Sequence, residues 1–321
     1  MKFRTEIEIT PLQNAIGYDS RIFTIGSCFA QNIAARLRQA KFMVTESPTG
    51  ILFNPLSIAN ALNRYTEATP PRCEDLVFNN GLWHSFEAHS SLSSASQSTT
   101  LDNLAKAIAS GNEALRSADC VVITFGTAWV YTLPNGETVA NCHKFASSNF
   151  TRRRLTVEEI TETFVKLCSE TLGNKNIILT VSPIRHLSDG LSENSLSKSI
   201  LRVAADEICH RCDNATYFPS FEILNDDLRD YRFYAEDLAH PSQQAVDYIW
   251  EKFVAAALNN SAKALLPHIE KIVAAASHRP FNPDSEEYAQ FCRRNIEAIE
   301  KLPNIDFSEE RKLFERYSDK F

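Results

Sequence analysis

Apolar positions along the chain alternate between short unbroken runs and longer stretches with helical spacing. Ile22-Phe23-Thr24-Ile25 is a run of the first kind and stops at Gly26. Phe29, Ile33 and Leu37 then recur every four residues, which predicts a helix after a tight turn. Phe42 to Val44 reads as a second strand, closed by Ser47-Pro48-Thr49-Gly50. Asn54-Pro55 opens a second helix, because proline suits the first helical position, with Leu56, Ala59 and Leu62 on its apolar face. A third helix is expected over about 101–116. Cys120 to Phe125 follows, an unbroken apolar run of the kind buried on both faces of a parallel sheet. Helix 156–172 stops at Gly173, a good C-terminal stop. Asn176 to Val181 is another buried strand, 193–212 is helical, and Ala215 to Phe218 is a fifth strand halted by Pro219. Helix 241–258 opens on Pro241.

Five strands alternating with helices predict an α/β fold with a doubly wound parallel sheet, since parallel neighbours need crossover connections. Two hairpins interrupt the alternation. One turns at Asn79-Asn80-Gly81; the other places Pro134-Asn135-Gly136 between Trp129–Tyr131 and Thr138–Ala140. The serine-rich run from His89 to Ser98 is expected to be a mobile surface loop. Residues 259–321 carry helical patterns and no strand. The expected organisation is a main domain over 1–258 and a helical extension over 259–321 packed on it. The extension is expected to lack a core of its own, because apolar positions such as Leu265, Leu266, Ile269 and Ile272 are few.

Composition removes several function classes. The 321 residues are 44% apolar, ample for a large core, and 33 basic residues face 40 acidic ones. The signs are mixed, and Arg152-Arg153-Arg154, read as the solvated start of a helix, is too short for a nucleic-acid groove. No nucleic acid is therefore expected as a partner. No stretch of about 18 apolar residues occurs, so no membrane span is expected. The N-terminal MKFRTEIEIT lacks the apolar segment of a signal peptide. Eight cysteines are scattered, and the pair Cys209 and Cys212 reads as reduced thiols on a helix. The expected compartment is the cytosol. No H-x-x-x-H spacing or carboxylate cluster suggests a metal, and no cofactor is expected.

In an open α/β sheet, ligands bind beyond the carboxyl ends of the strands, and the polar residues of interest fall there. Gly26-Ser27-Cys28 follows the first strand, Gly126-Thr127-Ala128-Trp129 the third, Ser182-Pro183-Ile184-Arg185-His186 the fourth. Asp237 and His240 lie three residues apart in the loop after the fifth. A carboxylate on one imidazole nitrogen fixes the tautomer and frees the other nitrogen to accept a proton. A hydroxyl or thiol at a helix N-terminus sits where the dipole and free N–H groups favour an anionic nucleophile.

The motif Gly26-Ser27-Cys28-Phe29-Ala30 spells the signature of the GSCFA family, which the sequence resembles over roughly residues 1–255. The stretches Gly50 to Ile58, Asn80 to Phe86, Ile123 to Tyr131, Asn141 to Lys144, Ser182 to Leu187 and Asp230 to Ser242 carry the same resemblance. This family is placed near the SGNH/GDSL esterases. The relationship implies a flavodoxin-like five-stranded parallel sheet and an Asp-x-x-His block, which Asp237 and His240 match. It also implies a Gly-Asp-Ser block, against which Cys28 falls in the nucleophile register and Ser27 replaces the aspartate. The Gly-x-Asn-Asp block becomes Gly126-Thr127-Ala128-Trp129, so Ala128 stands where the oxyanion asparagine is expected.

The expected activity is acyl-ester or thioester hydrolysis with Cys28 or Ser27 as nucleophile. Cys28 has the register and a thiol whose pKa a helix N-terminus and a nearby histidine would depress; Ser27 has the esterases' chemistry, or caps the helix. Candidate oxyanion donors are the Cys28 and Gly50 N–H groups, Asn54 and Thr127. His84, His143, Arg185 and His186 are candidates for a polar substrate pocket suited to a small-molecule or carbohydrate acyl substrate. Transfer of the acyl group to a sugar hydroxyl and a non-catalytic binding protein on the same fold are the alternatives. The sequence does not specify an oligomeric state.

Overall fold

The apolar run Cys120–Phe125 lies at the centre of a five-stranded parallel sheet in the computed structural model, which describes residues 4–318. The outer ends of the two expected segments, residues 1–3 and 319–321, lie outside the described residues. The strands are β1 (Arg21–Gly26), β2 (Met43–Glu46), β3 (Cys120–Phe125), β4 (Asn176–Val181) and β5 (Ala215–Tyr217), in the order β2-β1-β3-β4-β5. This is a flavodoxin-like arrangement. β1 and β3 pair from Ile22↔Cys120 to Gly26↔Thr124, and β3 and β4 from Cys120↔Asn176 to Phe125↔Val181.

Alternate residues of each strand face opposite sides, so the sheet supports two cores. Phe23, Ile25, Val121, Ile123, Leu179 and Val181 pack against α2 (Pro55–Glu67), α4 (Val157–Glu170) and α5 (Leu191–Arg211). The C-terminal part of a further helix, α3 (Gln97–Ser117), joins them through Leu115. Ile22, Cys120, Val122 and Ile178 pack against α1 (Cys28–Gln39) and α6 (Gln243–Ala257). Every side chain of β3 is buried, as its unbroken apolar run predicts.

Both expected hairpins are present as antiparallel pairs. A third strand, Thr151–Arg154, pairs with Trp129–Thr132. The three arginines are therefore not the start of a helix. Alternation along this edge strand lets Arg152 and Arg154 lie over the Trp129 ring, at 3.9 and 5.3 Å from its centroid, while pairing with Asp189 and Glu193. The serine-rich run is not a plain loop. Ser94 bridges to Trp83 and Ser96 caps α3. Pro241 stays outside α6, in a bridge with Tyr234, and Ser242 is the cap.

The extension departs from expectation. α7 (Asn260–Ser277) contributes Ala262 and Leu266 to the main core, then Ile269 and Ile272 to a separate cluster beyond Pro267. That cluster is completed by Tyr288, Cys292 and Ile299 of α8 (Glu286–Glu300), by Phe307, and by Phe314 of α9 (Ser308–Ser318). The extension thus has a core of its own, because isoleucines of α7 and aromatic residues of α8, α9 and the loop between them converge there. It touches the main domain through Lys41, which pairs with Glu310 at 2.6 Å and lies over Phe307. Among the described residues no helix is long and apolar enough to cross a membrane.

Candidate active site

Gly26 ends β1 at φ +136°, and a Cβ there would lie 2.1 Å from the Thr124 carbonyl oxygen of β3. Only glycine lets the chain turn this close to its neighbour. The turn makes Ser27 the N-cap of α1 and Cys28 its first residue. Ser27 is buried, and its Oγ accepts the Phe29 N–H at 3.4 Å, so its hydroxyl serves the cap. Cys28 is half-buried against the core on the α1 face. Burial pushes its thiol above the ordinary range. Its own backbone N–H and the charge of Lys198 offset part of this. The expected depression of this pKa is therefore corrected: desolvation of the sulfur outweighs the groups that favour the thiolate.

Asp237 and His240 form the expected pair. His240 Nδ1–H donates to Asp237 Oδ2 at 2.5 Å, and the backbone N–H groups of Ala239 and His240 donate to Asp237 Oδ1 at 3.0 and 2.9 Å. These three hydrogen bonds hold the carboxylate at a pKa of about 2. Leu238 between them takes φ +56°, an uncommon conformation for a branched residue, and closure of the loop by Ala235 N–H on the His240 carbonyl holds it there. His240 Nε2 has no hydrogen-bond partner among the described residues, and about half of the side chain is exposed. No hydrogen bond joins His240 to Ser27 or Cys28 among the described residues.

Between these two motifs lie residues of the β4–α5 segment. The Arg185 N–H donates to the Ala239 carbonyl at 3.1 Å, tying this segment to the His240 loop. His186 feels the charges of both Lys198 and His240. Burial first, then Lys198, pushes its pKa down to about 4, so its ring is neutral near pH 7. The Arg185 guanidinium stacks over Tyr234 at 3.8 Å and Tyr231 at 5.2 Å, with no carboxylate within ion-pair distance among the described residues.

Lys198 is the member of this cluster that the sequence reading did not single out. It lies on α5 with Asn194, Ser197, Leu201, Ala204, Ala205 and Ile208, the stripe that faces the sheet. It is 1% exposed, and Nζ donates to the carbonyls of Gly126 and Ser182 at 2.6 and 2.7 Å. These are the residues that follow β3 and β4. Burial lowers its pKa to about 7, and Cys28 is the group that opposes this shift. The signal available in sequence was a lysine at i, i+3 and i+7 with the apolar positions of its helix.

The expected oxyanion donors are mostly committed elsewhere. Gly50 N–H donates to Ser47 O, and Asn54 is the N-cap of α2, with Nδ2 on Ser57 Oγ at 3.0 Å. Thr127 N–H donates to the Phe53 carbonyl, while its hydroxyl is shared with Ser197 and the Trp129 N–H. Ala128 is fully buried, its N–H on Ser197 Oγ at 2.8 Å. The N–H of Cys28, facing its own sulfur, is the donor left at the turn. His84 and His143 stack on each other at 4.3 Å in the hairpin unit. They bond to Ser93, Asn79 and Ser85, and neither bonds to nor stacks with Cys28, His186 or His240. The Arg152 guanidinium lies over the Trp129 ring at 3.9 Å from its centroid. Among the described residues no group of three histidines, cysteines or carboxylates is placed to hold a metal ion.

No curated protein matches the chain. The sequence profile of the GSCFA family matches residues 21–253, which include all of the candidate site from Gly26 to His240. A second profile, described as the C-terminal domain of GSCFA domain proteins, matches residues 269–318, the segment that builds the separate core. The chain thus belongs to the GSCFA family, in its extension as well as in its α/β domain.

Proposed function

We propose that this protein hydrolyses an acyl ester or thioester through an acyl-enzyme on Cys28, on the pattern of the SGNH/GDSL esterases. The observation that carries the reading is the Asp237–His240 pair, with one ring nitrogen bound at 2.5 Å and the other without a partner among the described residues. Attack by Cys28 Sγ on the acyl carbon forms a thioester and breaks the bond to the leaving oxygen or sulfur. His240, entering the step with a proton on Nε2 as well, hands that proton to the leaving atom. It then takes one from the water that cleaves the thioester, and the Cys28 sulfur departs. The Cys28 N–H at the start of α1 supports the developing oxyanion. Half-exposure of His240 leaves water a path to its free nitrogen, which favours hydrolysis over transfer to a sugar.

The test is a screen of short-chain p-nitrophenyl esters, acetylated sugars and acyl-CoA thioesters, with intact-mass detection of an acyl adduct. The wild type should turn over at least one class and carry the adduct on Cys28; Cys28→Ala should carry none. Turnover that survives in both Cys28→Ala and His240→Ala overturns the reading.

A further inference from the structure

Cys28 is buried enough for its thiol to resist ionisation, yet His240 makes no hydrogen bond to it. An anion at this sulfur needs a counter-charge from elsewhere, since water supplies little of it to a half-buried atom. The charged and titratable groups around the pair are few. Lys198 comes from α5, His186 and Asp189 from the β4–α5 segment, and His240 with Asp237 from the loop before α6. His186 is kept neutral, and Asp237 is engaged with His240.

The geometry places Lys198 beneath the turn that carries Cys28. Its Nζ lies 2.6 Å from the Gly126 carbonyl. Gly126 in turn packs so tightly on the turn that a Cβ there would lie 3.1 Å from Ser27 Cβ. The tetrahedral nitrogen has two carbonyl acceptors, Gly126 O and Ser182 O. A neutral amine has two hydrogens, and these satisfy both acceptors while its lone pair occupies the remaining side. An ammonium fills that side with a third hydrogen and a positive charge. Both protonation states therefore fit the same two carbonyls.

We propose that Lys198 is the internal counter-ion of Cys28, so that loss of the thiol proton and gain of a proton on Nζ are one coupled event. The proton leaves Sγ and arrives at Nζ, and the net charge of the pair does not change. Thiol plus amine becomes thiolate plus ammonium inside the protein, and no net charge is created in the core. Lys198 acts through Cys28 and is a positioning residue in the sense that it holds the nucleophile in its reactive form. This role rests on Cys28 being the nucleophile, as in the reading above, but ionisation of the thiol is measurable without any substrate.

The experiment follows carbamidomethylation of Cys28 by iodoacetamide from pH 5.5 to 10. Peptide mass spectrometry separates this site from the seven other cysteines among the eight. In the wild type the Cys28 rate should rise through an inflection set by the coupled pair. In Lys198→Met the inflection should move up by about one pH unit or more, and the rate near neutral pH should fall about tenfold. Lys198→Gln removes the charge but keeps two N–H donors for the carbonyls, and should shift the profile the same way. It serves if the methionine variant fails to fold, with circular dichroism as the check. Coincident Cys28 profiles in the wild type and a folded variant overturn the proposal. Because alkylation reads the thiolate directly, a failed substrate screen leaves this result standing. Equally, a flat alkylation comparison leaves the hydrolase reading intact.

Discussion

Lys198 should leave a mark on folding stability that reports its protonation independently of catalysis. An ordinary lysine titrates near 10.5, whereas this one, fully buried, titrates near 7. Between those values the unfolded chain carries a proton on this side chain that the folded chain lacks. Stability contributed by the group is therefore fully present above the unfolded value and is lost as pH falls toward the folded one. The slope is at most about 1.4 kcal/mol per pH unit. The full window would total on the order of 5 kcal/mol. Lys198 is still half-protonated in the folded chain at about pH 7, so the working figure is about 2 kcal/mol between pH 7 and 9. Urea unfolding of the wild type and of Lys198→Met at half-unit pH steps measures it. The difference between the two, which cancels the titrating groups that Lys198 does not influence, should grow in favour of the wild type as pH rises. A difference that stays flat from pH 7 to 9 would refute the reasoning, because Lys198 would then titrate alike in both states.

Ser27→Ala removes the side-chain cap of α1 and should cost about 1 kcal/mol in chemical denaturation while acyl-adduct formation on Cys28 persists; a wild-type adduct mapped to Ser27 and lost in Ser27→Ala would make Ser27 the nucleophile. Asp237→Ala frees the His240 ring and removes its fixed tautomer, and kcat should fall about 100-fold or more, with unfolding midpoints changed little. Arg185, stacked on Tyr234 without a carboxylate partner among the described residues, should favour anionic substrates. Arg185→Gln should raise KM for an anionic ester about tenfold and leave KM for its neutral analogue near wild type, as steady-state kinetics on the matched pair will read.

Periodicity alone located all five central strands and the helices between them, within a few residues. Gly26 and Pro55 marked helix starts, and Gly173 marked a helix end, for local backbone reasons that need no partner. The Asp237–His240 pair was also legible, because both groups lie within one tight loop and their hydrogen bond closes over three residues. Other features depended on neighbours distant in sequence. Arg152–Arg154 became an edge strand because Trp129–Thr132 offered it hydrogen bonds, and pairing outweighed the local cue. Gly50, Asn54 and Thr127 looked like free donors until the fold supplied acceptors for each.

The order of polar and apolar residues by itself determined that this chain forms an α/β sheet with Cys28, His186 and His240 beyond its strand ends. Tertiary structure alone decided which of those groups share an environment. A lysine in a helix reads as solvated until the helix is laid against the sheet; only then do Gly126 and Ser182 meet its amine and exclude water from it. The extension followed the same rule, since Ile269, Tyr288, Cys292 and Phe314 form a core only when three helices bring them together. Local pattern is written in the chain because it depends on spacing along one segment. Burial, and with it the protonation of Lys198 and of the Cys28 thiol, depends on segments some 170 residues apart closing over one another.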